Sequence, residues 1–433
     1  MNDALLDGSG LVAVWIYLCS LLLIGYLARR ARGGDNPRDF YLAGGSLGFV
    51  ALFFTLYATQ YSGNTLLATP GKAYRSGFDA LAVALAVMTV ALVYSTFAPR
   101  LNRLAAEHGF ITAGDFLRWR YPGANGLWLV ANLVLLLTLT TYALGNFKAV
   151  GLLLESISGG ALGFAPAILL MALIMGTYES MGGMRGVVWT DVIQGAILMV
   201  GCLVIFAAVY QLAEPASVTH PAGLAEELER YIVLDLAPVN FASLVLLIGV
   251  GAAVYPQAIQ RLYAARDVSS LRRSYRVRFF MPLLTTVPML LVGMSVNEWQ
   301  PGLSLAESER VVIHAIDRVV AAQPAMAWLM TLCLAAALAA IMSTIDSALL
   351  SLGSIITGDL LGSRLASGSP ARAMRASRVT AWALMLVLAV LAIVLPQSIW
   401  ALMVFKFELL VQLAPAVILG VRWQRLPAKA VLG

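Results

Sequence analysis

Long apolar runs alternate along the chain with short segments rich in arginine. The first run extends from about Leu11 to Leu27, and ten more follow it. A helix needs roughly 20 mostly apolar residues to cross the hydrocarbon core of a bilayer. The pattern therefore predicts eleven membrane-spanning helices, which we call the lead span and spans 1 to 10. The numbered spans cover approximately 47–67, 80–97, 127–153, 165–177, 187–209, 241–263, 279–296, 326–352, 381–395 and 399–421.

Two of these spans are interrupted near their centres. Span 1 contains residues 57–64, a run of small, polar and aromatic residues, and span 6 contains Gly249, Gly251 and the pair Tyr255-Pro256. Each interrupted span opens a group of five. Interrupted spans at matching positions of two halves indicate an inverted-repeat transporter with a binding site near the bilayer midplane. The alternative for span 1 is a small-residue surface for helix packing.

This symmetry predicts the organisation of the chain. We expect a lead transmembrane helix and cytoplasmic loop, a first five-helix repeat, an extracellular connection, a second five-helix repeat and the start of a C-terminal extension. The corresponding ranges are 1–45, 46–210, 211–240, 241–421 and 422–433. Residues 428–433 resemble the start of another span, so we expect the chain to continue past Gly433.

Composition supports a membrane protein and argues against other classes. Of the 433 residues, 60% are hydrophobic and only 12% are charged, and the mean hydropathy is +0.83. A soluble domain of this length does not have such values. The net charge of +6 indicates no nucleic-acid partner, because most of the basic residues lie in short loops. No cluster of histidine, cysteine or paired carboxylates indicates an enzyme active site.

The basic loops also predict the orientation of the chain. Clusters of arginine follow the lead span and spans 2, 6, 8 and 10. The cluster after span 6 comprises Arg261, Arg266, Arg272, Arg273, Arg276 and Arg278. Cytoplasmic loops carry an excess of basic residues. We therefore expect the protein to lie in the plasma (inner) membrane with its N-terminus outside.

Three short motifs carry a resemblance to a known family. Residues 182–194 read Gly-Gly-Met-x-x-Val-x-Trp-Thr-Asp-x-x-Gln, which is similar to the signature of the sodium:solute symporter family. Residues 339–350 in span 8 and, more weakly, Tyr61-Ser62-Gly63 in span 1 resemble it too. The resemblance implies an all-α polytopic membrane protein with a five-plus-five inverted-repeat (LeuT-like) fold and a lead helix. It implies sodium as the coupling ion and no other cofactor.

The resemblance also implies a sodium site between spans 1 and 8. The ligands would be the carbonyl oxygens of Ala58, Tyr61 and Ala340 and the hydroxyl oxygens of Ser343 and Thr344. Neutral oxygens suit a hard cation, and an unwound backbone offers them without a buried charge. The alternative is that both hydroxyls bond back to the preceding helical turn.

Some members of the family have a second cation site, which corresponds here to Asp191, Ser343, Asp346 and Ser347. The aspartate at 346 replaces an expected hydroxyl and would strengthen a cation site or make it protonatable. Ionisable residues inside a membrane are costly and are usually functional. The alternative is that Asp191 holds span 5 structurally.

Polar residues in four spans are candidates for the solute cavity. They are Gln60, Asn64, Tyr142, Asn146, Tyr255, Gln257, Gln260 and Lys406. Hydrogen bonding between helices is the alternative for each of them. Lys406 and Glu408 are two positions apart and do not share a helix face, so we expect only one to line the cavity.

The sequence thus predicts a sodium-coupled symporter of a small solute, preferably a carboxylate or an amino acid, working by alternating access. The expected partners are the solute, sodium and the lipid bilayer. The alternative is a sensory input domain of a signalling protein with a transporter-like fold.

Overall fold

The computed structural model of the protein describes residues 8–31, 36–212, 238–362, 370–396 and 398–432. Most of the predicted extracellular connection, 213–237, lies outside these ranges. The described residues are almost entirely helical, and they form no β-strand beyond one isolated bridge between Leu47 and Ala265.

The first half of the chain contains the lead span and spans 1 to 5. The lead span is the helix Gly8–Arg30, and span 1 begins with Phe49–Gln60 and continues beyond a break in Thr69–Ser76. Spans 2 and 3 are the helices Leu81–His108 and Asn125–Ile157. Spans 4 and 5 lie in one helical run, Phe164–Leu212.

Gly183 divides the run Phe164–Leu212 into two spans. The run has 49 residues, which at 1.5 Å per residue is about 74 Å, more than twice the thickness of a hydrocarbon core. Gly183 has a non-helical backbone, with φ 56° and ψ −153°. A Cβ atom there would lie 2.8 Å from the Phe40 carbonyl oxygen, so both the conformation and the contact require glycine.

The second half contains spans 6 to 10. Span 6 is a bent pair of helices, Pro238–Ala253 and Pro256–Ala264. Spans 8 and 9 are Ala327–Ser354 and Pro370–Val394. Span 10 begins with Ile399–Ala414 and continues to Arg422.

Span 7 differs from its predicted form. The predicted basic loop after span 6 is itself largely helical, since the helix Val268–Arg278 forms a second bent pair with Met281–Trp299, at an angle of 43°. The Asp267 side chain caps the first helix by accepting from the Ser270 amide at 2.7 Å. This bond lowers the pKa of the exposed Asp267 carboxyl.

Within the described residues, six helices are long and apolar enough to cross a membrane, and the two bent pairs raise the number to eight. Dividing Phe164–Leu212 at Gly183 and counting the lead helix and Phe49–Gln60 separately gives the predicted eleven. Span 8 is the central element, because every residue from Ala336 to Ile355 is buried. It packs against spans 1 and 3 and the run Phe164–Leu212.

Candidate ion and solute site

Span 1 is broken at the predicted place. Its first helix ends at Gln60, and Tyr61 has an extended backbone, with φ −97° and ψ 111°. Helical hydrogen bonding resumes at Asn64. The residues at the break are deeply buried, so their backbone groups face other spans rather than lipid. Irregular backbone at this depth is tolerated where it lies inside protein or lines a cavity.

Span 6 is broken at the predicted place too. Its two helices meet at an angle of 48° around Val254 and Tyr255. Pro256 opens the second helix, where its missing N–H leaves no backbone bond unmade. Both interruptions predicted from the sequence are therefore confirmed.

Four of the five predicted sodium ligands meet between spans 1 and 8. The Thr344 hydroxyl donates to the carbonyl oxygens of Ala58 and Ala340, at 3.1 Å each. The Ser343 hydroxyl donates to the Ala340 carbonyl at 2.9 Å. These four residues are fully buried. The fifth, Tyr61, lies in the extended segment that follows Ala58 in span 1.

The chemistry of this group fits a monovalent hard cation. It offers neutral carbonyl and hydroxyl oxygens, and no carboxylate joins the contacts that Thr344 and Ser343 make within the described residues. The two hydroxyls also make the backward bonds to Ala340 that the alternative reading predicted. Thr344 does more than this, because its bond to Ala58 joins span 8 to the broken part of span 1.

A buried ion pair joins span 6 to span 5. The Arg261 guanidinium is 3.3 Å from Asp191, and both side chains are fully buried. It also donates to the Thr55 hydroxyl at 2.7 Å, to the Ser347 hydroxyl at 2.5 Å and to the Gln257 carbonyl at 3.0 Å. Thr55 in turn donates to Asp191. These contacts join spans 1, 5, 6 and 8, and we call the five residues the arginine knot.

The arginine knot takes up two residues of the predicted second cation site. Asp191 and Ser347 both bind the Arg261 guanidinium. The third, Asp346, accepts instead from the Tyr178 hydroxyl. One oxygen each of Asp191 and Asp346 has no hydrogen-bond partner within the described part of the chain.

Lys406 lies inside the bundle among aromatic rings. Its ammonium nitrogen is 4.0 Å from the centroid of the Tyr142 ring, 4.9 Å from that of Phe407 and 5.5 Å from that of Tyr255. The residue is 1% exposed. No carboxylate lies within ion-pair distance of it among the described residues, and Glu408 is exposed on another face of span 10. Only the lysine therefore faces the interior, and its place in the solute cavity stays a prediction.

Two polar side chains beside the span 6 break also lack hydrogen-bond partners among the described residues. The Tyr255 hydroxyl and both amide atoms of Gln257 are buried and have no hydrogen-bond partner within the described residues. Buried polar groups are nearly always hydrogen-bonded, so each such group needs an explanation. The Tyr255 ring lies 5.2 Å from Tyr142, which places its edge of span 6 beside Lys406.

The other predicted solute residues are engaged within the protein. Tyr142 donates to the Thr59 carbonyl at 2.6 Å. Asn146 accepts from the Gly63 amide at 3.2 Å, so both side chains hold the span 1 break. The remaining pairings join Gln60 to Arg278, and Gln260 to Ser351 and Ser354; the Asn64 side chain lies outside the described residues.

The charge pattern predicted that Arg261 and Arg278 lie in a basic loop, and this prediction is wrong. Both are buried inside helices, at 0% and 4% exposure. A signal for Arg261 was present, because apolar residues continue for four positions beyond it. An arginine inside an apolar run requires a buried partner, and Asp191 was the available one.

Broken helices, neutral oxygen ligands and polar groups gathered inside an apolar bundle define a secondary transporter of the inverted-repeat class. The sequence model of the sodium:solute symporter family matches residues 40–432. The chain belongs to this family. It is a sodium-coupled symporter of the multi-pass membrane type and not an enzyme.

Relatives and a solved structure agree with this assignment. The chain is 27% identical over 414 residues to the sodium/pantothenate symporter of Haemophilus influenzae, across 92% of this chain and 82% of the relative. It is 27% identical over 421 residues to the high-affinity proline transporter PutP of Bacillus subtilis, across 94% and 85%. A sodium-coupled sialic acid symporter, solved substrate-bound and outward-open, superposes with a TM-score of 0.78 at 20% identity, across 97% and 88%. The last similarity shows the shared LeuT-like fold.

Proposed function

We propose that this symporter carries a small solute with a carboxylate group, and that Lys406 binds the carboxylate. The observation that supports this is a buried ammonium group that has aromatic rings but no carboxylate around it within the described residues. A charge taken out of water is costly unless it is paired. Cation–π contacts of this kind contribute about 2 kcal/mol when desolvated, and they leave the positive charge without a counter-charge.

The groups around Lys406 suit a solute with both an acidic and a polar or apolar part. Tyr142, Tyr255 and Phe407 offer ring faces beside Lys406. The Tyr255 hydroxyl and, two positions further along span 6, the Gln257 side-chain amide lack partners among the described residues and offer hydrogen bonds. Pantothenate, proline and sialic acid, which the relatives named above carry, all contain a carboxylate. These names support the class of solute, and Lys406 supplies a reason for it in this chain.

In this proposal sodium binds the carbonyl oxygens of Ala58, Tyr61 and Ala340 and the hydroxyl oxygens of Ser343 and Thr344. The bond from Thr344 to Ala58 supports the site, because it brings the two spans within coordinating distance of a common centre. Sodium there would hold the first helix of span 1 against span 8. The proposed solute site lies next to it, because Tyr142 donates to the carbonyl of Thr59, the residue after Ala58. Sodium and solute would thus stabilise the same break, and this makes their binding reciprocal.

We further propose that the Arg261 guanidinium is the resident cation of the second site, formed by Asp191, Asp346 and Ser347. Its contacts with Asp191 and Ser347 support this assignment, while Asp346 accepts from Tyr178. The proposal gives one transported sodium for each solute. We propose that transport proceeds by alternating access, in which spans 1, 2, 6 and 7 move against the others. We also propose that the N-terminus lies outside the plasma membrane. The arginine knot joins spans 1 and 6 to spans 5 and 8, so it would separate in one stage of the cycle.

The experiment is sodium-driven uptake into proteoliposomes with a panel of labelled monocarboxylates, amino acids, neutral amides and sugars. We expect carboxylate-bearing solutes to be taken up in strong preference to neutral ones, driven by a sodium gradient and not by an equal potassium gradient. Sodium flux measured in parallel gives the ratio of ion to solute. Uptake restricted to a neutral sugar would contradict the role of Lys406, and two sodium ions per solute would contradict that of Arg261.

A further inference from the structure

Arginines from three distant parts of the chain meet at one end of the molecule, on the side that the charge pattern assigns to the cytoplasm. They come from the end of span 2, from the helix Val268–Arg278 and from the end of span 10. They line two adjoining cavities of about 580 and 650 Å³, which share Arg103 and Arg272. We call this set the arginine cluster; it comprises Arg100, Arg103, Arg272, Arg273, Arg276 and Arg422.

Carboxylates among the described residues do not balance the positive charge of this cluster. Glu107 is the one acidic side chain that lines the two cavities. No arginine of the cluster has a carboxylate partner within the part of the chain that is described. Other arginines do have one: Arg185 lies 2.8 Å from Asp39, and Arg310 lies 2.9 Å from Glu155.

Orientation by the positive-inside rule explains why arginines occur on this side of the membrane. It does not explain why arginines separated by more than 160 residues converge on shared cavities. Like charges brought together repel one another. Six arginines that converge with one carboxylate between them are therefore arranged as a site that receives an anion.

The surroundings of the cluster indicate a ligand with apolar chains. Leu85 and Leu92 on span 2 are exposed, at 45% and 56%, and they lie on the same helix face as Thr96 and Arg103. A lipid-facing apolar stripe thus runs directly into the arginines. Trp423, which is 57% exposed and follows Arg422, is a side chain typical of the membrane–water interface.

We propose that the arginine cluster binds the phosphodiester headgroup of an acidic phospholipid, with its acyl chains along Leu85 and Leu92 of span 2. Arginine binds phosphate oxygens in pairs through its planar guanidinium. Basic pockets between spans on the cytoplasmic side are suited to such headgroups. The lipid would connect span 2, the helix that leads into span 7, and the end of span 10.

The test uses the purified full chain in nanodiscs that contain equal amounts of phosphatidylglycerol and phosphatidylcholine. Native mass spectrometry counts the lipids that remain bound after release. We expect the parent protein to retain phosphatidylglycerol selectively. Replacing Arg103 and Arg272 by glutamine should weaken this binding roughly 30-fold, because each arginine near an anionic lipid contributes a factor of about five.

The matched control is Arg375→Gln with Arg425→Gln. Both of these arginines are exposed and neither lines the cavities, so the same charge is removed elsewhere. We expect the control to retain the lipid as the parent does. Equal loss in the two double variants would show that only net charge matters and would overturn the proposal.

A second measurement does not depend on the variants. The melting temperature of the parent in detergent is followed while phosphatidylglycerol, phosphatidylcholine or inorganic phosphate is added. We expect phosphatidylglycerol alone to raise it. An equal rise with inorganic phosphate would identify a site for free anions instead, and an equal rise with phosphatidylcholine would show no headgroup selection; either result overturns the proposal.

Discussion

Two fully buried cations in this protein have opposite surroundings. Arg261 donates hydrogen bonds to Asp191, Thr55, Ser347 and the Gln257 carbonyl. Lys406 has three aromatic rings and no carboxylate or hydrogen-bond partner within the described residues. The first cation is satisfied by the protein and the second is not. We interpret the first as a group that holds spans together, and our proposal is that the second binds the solute.

The comparison predicts that substitutions in the arginine knot cause the largest loss of stability. Replacing Arg261 by alanine leaves Asp191 buried without a counter-charge. Removing one partner of a buried ion pair destabilises a protein by about 3–5 kcal/mol. We expect a large loss of folded protein, measured as the yield of monodisperse material and as the melting temperature.

A second variant separates the charge from the side chain. Arg261→Gln combined with Asp191→Asn removes both charges while keeping similar shapes. We expect this double variant to recover most of the stability that Arg261→Ala loses. If it is no more stable than Arg261→Ala, the ion pair is not the source of the effect.

Substitutions in the proposed sodium site are expected to produce the next largest effect. Replacing Ser343 by alanine and Thr344 by valine keeps the volume close but removes both proposed side-chain ligands of sodium. A hard cation left with carbonyls alone keeps an incomplete shell. We expect the sodium concentration at half-maximal uptake to rise by about tenfold or more, equivalent to about 1.4 kcal/mol, and the apparent solute affinity to fall with it.

The matched control for this variant is Thr331→Val with Ser351→Ala on the same span. Both residues are buried hydroxyls on span 8 outside the predicted ion site. We expect the control to keep the parent's sodium midpoint. A parental midpoint in the Ser343 and Thr344 variant would show that these hydroxyls only bond their own helix.

Asp346 should produce the smallest effect of the three. Its carboxylate accepts from Tyr178 rather than from the arginine knot. Replacing it by serine removes a negative charge that is near the ion site but does not contact Arg261 in the described structure. We expect the sodium midpoint to rise by only about threefold, equivalent to about 0.7 kcal/mol, because Asp346 contacts none of the predicted sodium ligands in the described residues. One sodium should still be carried per solute. A change in that ratio would restore Asp346 as a ligand of a transported ion.

The fold was largely predictable from the sequence because a bilayer imposes simple rules. Apolar runs predicted the spans, and Tyr61 to Gly63 and Tyr255-Pro256 predicted the two breaks, which the structure confirms. The motif in span 8 predicted that Ser343 and Thr344 lie beside Ala58. Thr344 does contact Ala58, while sodium binding there stays a prediction.

The arginine knot was not predicted, for a physical reason. The positive-inside rule assigns an arginine near the end of a span to a loop, and Arg261 stands near the end of span 6. Only the long-range contact with Asp191, seventy positions earlier, shows that this arginine faces inward. Pairing between distant charges is not visible in hydrophobic periodicity, which is local. The same limit applied to Arg278, whose contact with Gln60 spans more than 200 positions.

The central claim is that Lys406 binds the carboxylate of the solute, and it is tested by changing the charge of the solute. Once the panel has given a transported acid, its uptake is compared with that of the corresponding neutral amide in three proteins: the parent, Lys406→Met and Lys148→Met. Lys148 on span 3 is the control. It lines a cavity that does not include Lys406, and it donates to the Leu395 carbonyl.

A hydrogen bond between charged groups contributes about 1.5–3 kcal/mol, so we expect the parent to prefer the acid over the amide by roughly tenfold to a hundredfold. Lys148→Met should keep that preference. Lys406→Met should lose it, because acid and amide then meet the same neutral side chain. A Lys406→Met protein that still prefers the acid by the parental factor would contradict the central claim that Lys406 binds the carboxylate.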